Sequence, residues 1–498
     1  MTAIDRFLNK ITMYRLLTYV LCGYTGIVLV YSLFGKTPAE PTKLVASLLI
    51  LLFATYVTDR IFAFVFKVPA NAESWLITAL ILFLIIAPIN SPATIIALGL
   101  AGGTAIASKY LISFNGRHIF NPAAFAAAFM SLWGVLPTTW WIGSSLFWPY
   151  TLIGGLLIVR KIRHGVLVTA FVATAIILEL QQIHGALGAN LIHFLVASPL
   201  IFLATIMLTE PATMPPTRNL QVVFSVLIGV LYVSNLAFGP LIVLPEVAIL
   251  FGNLYAWIVS PKSSHRLKLR SIQKVGGNVY NYVFTPDRPI RFLPGQYMQW
   301  TLPGVPFDSR GNRRSFTIAS SPTESTVQLG IKFYEPASQF KATMAQMRPG
   351  ATIYASQLAG SFTLTGRSIA KLAFIAGGVG ITPFRSMVKY LTDTNTKSNI
   401  IVLYAVSNPA ELAYMTDFQA AARVGVKIVP IVTKPGNYPP GIVAARLDAG
   451  TIARLIPDHA DRHFYVSGPD AMVDATIHYL STLGVSRPRI HTDHFSGY

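Results

Sequence analysis

Apolar residues come in long unbroken runs along the first half of the chain and alternate with polar ones along the second. Runs of spanning length fall at roughly 15–35, 43–66, 75–90, 93–110, 121–137, 145–160, 164–181, 193–209, 220–238 and 240–259, which predicts about ten membrane helices. From Leu267 the period changes. Val279–Phe284, Gln296–Leu302 and Gln328–Tyr334 alternate between turns rich in Pro and Gly, the pattern of a β-barrel to about 365. From Lys371 short apolar strands (Leu372–Ala376, Ile400–Ala405, Lys427–Val432, Phe464–Ser467) alternate with helical stretches, which predicts a parallel α/β sheet. The expected fold is a polytopic α-helical membrane domain (1–262) fused to a β-barrel (263–366) and an α/β domain (367–498).

Composition agrees with membrane residence: 53% of residues are hydrophobic, 12% are charged and mean hydropathy is +0.54. The net charge of +19 reads as topology rather than as a nucleic-acid footprint. With the N-terminus inside, inner loops carry Arg60 and Lys67, then Lys109, Arg117 and His118, then Arg160, Lys161 and Arg163, then Arg218. Of the outer loops, only the first carries a basic residue, Lys36 with Lys43 at its edge. This asymmetry places the N-terminus and everything after Ser260 on the cytoplasmic side of a bacterial-type inner membrane. The first run lacks a small-residue cleavage site and reads as a span rather than a leader. Cys22 is the one cysteine, so the chain alone makes no disulfide and holds no cysteine-ligated iron–sulfur cluster. No metal site is expected.

Four stretches of the cytoplasmic half carry chemistry. Arg314-Ser315-Phe316-Thr317 lies on a predicted strand, where an arginine fork suits a diphosphate and a threonine hydroxyl suits a ring nitrogen. Leu372-Ala-Phe-Ile-Ala-Gly-Gly-Val-Gly-Ile-Thr-Pro-Phe runs from a buried strand through Gly378 and Gly380 to Thr382 as N-cap and Pro383 at the first helical position, a cradle for a pyrophosphate. Phe464–Met472 ends a strand in Ser467-Gly468-Pro469, at the sheet edge where ligands bind. The chain closes on His494-Phe495-Ser-Gly-Tyr498, an aromatic able to cover a flavin face. In this order, with Gly360-Ser361-Phe362 between the first two, residues 265–498 resemble the ferredoxin–NADP⁺ reductase superfamily. The resemblance implies a FAD-binding barrel, an NAD(P)-binding domain and hydride transfer from nicotinamide to flavin N5. It implies that Arg314, Ser315, Phe316, Thr317, Lys332, Gly360, Ser361 and Phe362 serve FAD. Gly378, Gly380, Thr382, Pro383, Ser467, Gly468 and Pro469 would seat the dinucleotide. Phe495 or Tyr498 would cover the ring and move aside, with Thr317, Ser467 and Phe495 nearest the reaction. Two departures are that the family's tyrosine is Ser315, with Phe316 alongside, and its cysteine is Ser467. No basic pair follows Ser407 to hold a 2′-phosphate, which favours NADH over NADPH.

In the membrane half, His118, His164, His184 and His193 lie at predicted helix ends without the pairing a haem needs. Phe114–Phe129 sets Arg117, His118 and Asn121 beside a proline at a helix start, and Met207–Thr217 ends a span with Glu210, Thr213 and three prolines. Acidic groups at membrane depth are expensive and usually functional. Glu179, Glu210 and Glu246 are the carboxylates read there. His118-Ile-Phe-Asn-Pro-Ala-Ala, Leu208-Thr-Glu-Pro-Ala-Thr and Pro245–Ala256 resemble segments of the membrane flavoprotein family found in the sodium-translocating NADH:quinone reductase and in the Rnf complex. That resemblance, over 15–260, implies flavin within the membrane domain, with His118, Asn121, Glu210 and Thr213 around it. Thr151 is the positional match for the family's FMN-esterified threonine. Bulky Trp148, Pro149 and Tyr150 occupy the flavin-transferase pattern, so non-covalent FMN or riboflavin is expected. The whole reads as a membrane-bound NAD(P)H oxidoreductase. Electrons pass through FAD to a membrane flavin and on to quinone or an extracytoplasmic acceptor, in a lipid bilayer and in monomeric or homo-oligomeric form. A redox-driven Na⁺ or H⁺ pump and a flavin transporter are the rival expectations.

Overall fold

The computed structural model describes residues 3–8, 11–37, 39–66, 73–114, 117–182, 187–234, 236–238, 241–262, 264–303, 312–334, 337–364 and 371–495. Tyr498, Lys67 and the expected 366/367 boundary lie outside them. The chain divides into a helical unit, Arg6–Lys262, and a second unit formed by Met1–Asp5 and Ser263–Tyr498.

In the helical unit the helices are α1 Met13–Leu33, α2 Pro41–Phe66, α3 Ser74–Ile85, α4 Pro92–Leu111, α5 Pro122–Leu132, α6 Trp148–Ile162, α7 Gly165–Gln182, α8 Leu187–Ala197, α9 Leu200–Met207, α10 Arg218–Val233 and α11 Pro245–Val259. Each expected segment contains helix, but about ten full spans are not shown. Among the described residues four helices (α1, α2, α4, α7) are long and apolar enough to cross a membrane by length and composition, or five if α8 and α9, bent by 52°, form one span. The apolar helices α3, α5, α10 and α11 are shorter.

Backbone chemistry explains the short ones. The helix expected over 75–90 stops at Ile85, ahead of Pro88; Ile86 bridges Thr138, and the backbone N–H groups of Thr139 and Trp140 donate to Ile85 O at 2.9 and 3.0 Å. The one expected over 121–137 stops at Leu132, because Gly134 takes a left-handed turn (φ 63°) and Val135 N closes back on Met130 O at 3.0 Å. The one expected over 193–209 breaks at Pro199 and continues through a π-turn, Leu203–Met207. Hydropathy counts apolar residues and is blind to these stops.

In the second unit, an antiparallel sheet contains β1 His265–Gly276, β2 Val279–Pro286, β3 Tyr297–Thr301, β4 Arg313–Thr317, β5 Val327–Lys332 and β6 Thr352–Ala359, in the order β4-β3-β6-β1-β2-β5. Its ends curl together where Ala319 N donates to Gln328 O at 2.8 Å. Inside sit Leu267, Leu269, Phe284, Met298, Trp300, Leu329 and Ile353, all but absent from the surface. Helix α12 (Gln339–Ala345) adds Phe340 to this core.

The second sheet is parallel throughout. Its strands are β7 Lys371–Gly377, β8 Asn399–Val406, β9 Val426–Val432, β10 Val443–Ala444, β11 His463–Pro469 and β12 Ile490–Phe495, in the order β10-β9-β8-β7-β11-β12. Helix α13 (Thr382–Asp393) follows β7 after a short turn, and α14 (Asp470–Thr482) follows β11 directly. Strands buried on both faces read as continuous apolar runs, which is why they were visible in the sequence.

Candidate functional site

On β4 the pleat puts alternate side chains on opposite faces. Arg314 and Phe316 share one face and both reach Phe340: the guanidinium lies 5.4 Å and the Phe316 ring 5.8 Å from its ring centre. Arg314 also donates to Arg313 O at 2.6 Å. Ser315 is exposed on the other face. The aromatic partner of the motif is therefore Phe316 and not Ser315, because only a residue two positions on shares the arginine's face. Thr317 is buried and lies across the ladder from Tyr297. Gly360, at φ 117°, brings its backbone so close that a Cβ would sit 3.2 Å from the Tyr297 ring. Its carbonyl accepts from Gln296 Nε2 at 3.3 Å. Tyr297 thus joins β4 to the Gly360-Ser361 loop, a role its place in an ordinary alternating strand did not signal.

Two residues expected at FAD are occupied elsewhere. Phe362 is buried in the core, with its ring 5.6 Å from Phe384 and 5.3 Å from Tyr465. Lys332 forms a 2.9 Å ion pair with Glu411. Both side chains tie the barrel to the α/β sheet.

The glycine loop after β7 is a 3₁₀ turn, Gly378–Ile381, and α13 begins at Thr382. Thr382 is thus inside the helix rather than capping it: its hydroxyl donates to Val379 O at 3.1 Å and fastens the turn. Ile381 takes the cap position, and Pro383 falls in the first turn. Gly378 (φ 53°) faces open space, where a Cβ would meet nothing within 4 Å. Gly380 is the reverse case, since a Cβ there would collide with Ser467 O and lie 2.7 Å from Gly468. Gly468, at φ 157°, packs on Gly377. These glycines let the ends of β7 and β11 meet at the carboxyl edge of the sheet, where open α/β sheets bind ligands.

The end of β12 runs alongside: Ser467 faces Asp493, Gly468 faces His494 and Pro469 faces Phe495. His494 Nδ1 lies 3.2 Å from Asp470 Oδ1 and fixes this arm to the start of α14. The Ser467 hydroxyl is buried with no hydrogen-bond partner among the described residues. An orphaned hydroxyl costs about 1–3 kcal/mol, and a ligand amide reaching it would relieve that cost. Burial pushes the Asp493 carboxyl up to about 6, against the pull of His494. Burial, and then the Asp493 charge, push the Tyr297 phenol up. Asp493 is therefore within electrostatic reach of Tyr297 on β3, and it was not singled out in the sequence.

One arginine bolts the two half-sites together. Arg385, on α13, donates from Nε to Asp417 Oδ2 at 3.0 Å, from Nη2 to Glu324 Oε1 at 3.1 Å and from Nη1 to Ala319 O at 3.2 Å. Ser386 Oγ donates to Ser320 O at 2.6 Å. The exit of β4 is thereby held on the helix that follows the glycine loop.

In the helical unit the structure gathers four residues named from sequence. Glu210 bonds His118 Nε2 at 3.1 Å, Asn121 Nδ2 at 2.9 Å and Thr213 Oγ1 at 3.1 Å. Asn253 braces them, accepting from Asn121 N at 2.8 Å. The set satisfies itself, yet the His118 and Glu210 side chains keep 18% and 20% of their surface, so its edge is accessible. Thr151 is not with them. Its hydroxyl is buried and donates to Trp148 O at 2.9 Å, while Tyr24 OH donates to its carbonyl at 3.1 Å. A side chain packed in this way does not fit esterified FMN.

Two further carboxylates are buried. Glu246 is closed over by Thr138 Oγ1 at 2.6 Å and Trp140 Nε1 at 2.8 Å, with Trp140 held at φ 44°. Asp59, missed in the sequence although it stands inside an apolar run, is 1% exposed and accepts from Tyr110 OH at 3.0 Å.

Residues 374–478 match the family model described as the oxidoreductase NAD-binding domain. The chain is 25% identical over 246 residues to the reductase component of propane 2-monooxygenase from Rhodococcus jostii, covering 47% of this chain and 65% of that protein. It is 27% identical over 199 residues to methane monooxygenase component C from Methylosinus trichosporium, covering 38% and 55%. The C-terminal half matches the ferredoxin–NADP⁺ reductase superfamily, with an oxidoreductase NAD-binding domain over 374–478. Among solved structures it is similar to the FAD/NAD-binding domain of a Vibrio cholerae nitric oxide dioxygenase, with 21% identity and a TM-score of 0.42, covering 46% of this chain and 98% of that one. The chain spans between about half and two thirds of the curated relatives named here.

Proposed function

We propose that the protein is a membrane-bound oxidoreductase that takes hydride from NAD(P)H on the cytoplasmic side and delivers electrons into or across the bilayer. The observation that carries this reading is the convergence of Gly378, Gly380, Ser467, Gly468 and Phe495 at one sheet edge, bolted through Arg385 to the flavin strand. FAD, when bound, would supply the conversion of a two-electron hydride into single electrons. Arg314 would hold its diphosphate, the Gly360-Ser361 backbone would frame it and Thr317 would orient the ring edge. Gly378 leaves room for the dinucleotide, and Phe495 would shield the ring until nicotinamide arrives. The open sheet edge without a basic pair after Ser407 favours NADH.

For onward transfer we propose a quinone or an extracytoplasmic acceptor, reached through FMN or riboflavin held non-covalently in the helical unit. The accessible His118–Glu210 edge and the resemblance over 15–260 support this. The one-sided distribution of basic loops supports a multi-pass protein with its reductase module in the cytoplasm. The names of the relatives favour a second reading, in which the electrons pass to an oxygenase component.

Arg314→Ala in the purified chain is expected to lose FAD and NADH-dependent ferricyanide reduction together; a variant with full flavin and full activity would refute the assignment. Quinone reduction separates the first reading from the second.

A further inference from the structure

Strand β1 carries Arg266, Lys268 and Arg270 on its exposed face, alternating with buried His265, Leu267 and Leu269. None of the three cations has an ion-pair partner among the described residues. Exposed Lys274, Arg288 and Arg291 extend the positive charge; Asp287, 3.6 Å from His265, is the acidic group at the strand's margin. Thr285 faces Lys268 across the ladder, and Tyr354 faces Arg266. The stripe starts seven residues after Val259, the last residue of α11. The helix end itself has the chemistry of a membrane boundary: Lys262 Nζ lies 3.8 Å over the Trp257 ring, and Phe114 meets the same ring edge-on.

We propose that this face of β1 docks on anionic phospholipid headgroups of the membrane that holds the helical unit. The proposal rests on the membrane reading given above. Basic residues this close in sequence to the end of an apolar helix, on the side that the positive-inside pattern assigns to the cytoplasm, meet a negative leaflet, and the contact is released by salt. An acidic protein partner would need no such tether, which is why lipid is the occupant chosen.

The test uses the full chain with Cys22→Ser, so that Thr285→Cys carries the only thiol-linked dye. The protein is reconstituted in vesicles of phosphatidylcholine, with or without phosphatidylglycerol, both doped with headgroup spin-labelled quencher. Quenching is expected with phosphatidylglycerol, and it is relieved by high salt. In Arg266→Gln/Lys268→Gln/Arg270→Gln the docked-to-undocked ratio falls by roughly fivefold per cation removed. Unchanged NADH–ferricyanide activity in the triple variant shows that the module is folded. Equal quenching in both lipids, or in parent and variant, overturns the proposal. So does an unquenched dye together with loss of salt-sensitive electron delivery to an acidic protein, which would assign the stripe to that partner. Failure of the parent to float with either vesicle overturns the membrane reading beneath it.

Discussion

Removing the Arg385 guanidinium should loosen the reductase module more than any other single polar change. Arg385→Met keeps most of the volume but strands two carboxylates. The Arg385 side chain is 7% exposed, Glu324 16% and Asp417 22%. Breaking a buried ion pair from one side costs about 3–5 kcal/mol, because the remaining charges lose their partner and stay desolvated. For a unit of about 240 residues that is a fall in Tm of roughly 6–20 °C. Melting followed by FAD release in the full chain reads this directly. Arg385→Met/Glu324→Gln should recover part of the loss, since one stranded charge is gone, and the double-mutant cycle then shows coupling. A single variant that melts with the parent would refute the view that this arginine joins the flavin strand to the nucleotide helix. Hydride transfer offers a second readout: the FAD reduction rate should fall in Arg385→Met even at saturating NADH, because the two half-sites lose register.

Gly380→Ala drives a methyl into Ser467 O and should weaken NADH binding by at least tenfold while FAD stays bound; a KM unchanged from the parent would contradict the close approach read here. Thr151→Ala removes a hydroxyl bonded to its own helix, so flavin extracted by acid from the variant should equal that of the parent. Asp493→Asn tests a raised carboxyl. Its ionisation opposes the fold, so the stabilising contribution is full below the ordinary value of 3.8 and is lost as pH rises to about 6. The asparagine variant should therefore melt above the parent at pH above 6 and together with it near pH 3.8.

The sequence disclosed most where one local rule decides the structure. Apolar strands such as Leu372–Ala376 and the turn between Gly377 and Thr382 depend on neighbours in the chain, and both were placed to within a residue or two. His118, Asn121, Glu210 and Thr213 stood out as polar groups in apolar surroundings, and they meet in one cluster. What stayed hidden depends on contacts distant in sequence. Nothing local separates Phe362 from a cofactor contact until Phe384 and Tyr465 close around it. Tyr297 and Asp493 matter only because β3 and β12 carry them towards one another. Arg385 reads as an ordinary helical arginine until Glu324 arrives from the barrel. The short helices mark another limit, since the stops at Ile85 and Leu132 come from Pro88 and Gly134 and not from any loss of hydrophobicity.

The claim that electrons leave the reductase module through the helical unit is tested most directly in proteoliposomes, with NADH supplied only outside. One set holds a quinone dissolved in the bilayer, and another holds ferricyanide trapped inside. The account predicts NADH-dependent reduction of at least one of these, abolished by Arg314→Ala. Reduction only of ferricyanide added on the NADH side, with both other acceptors untouched, would contradict it.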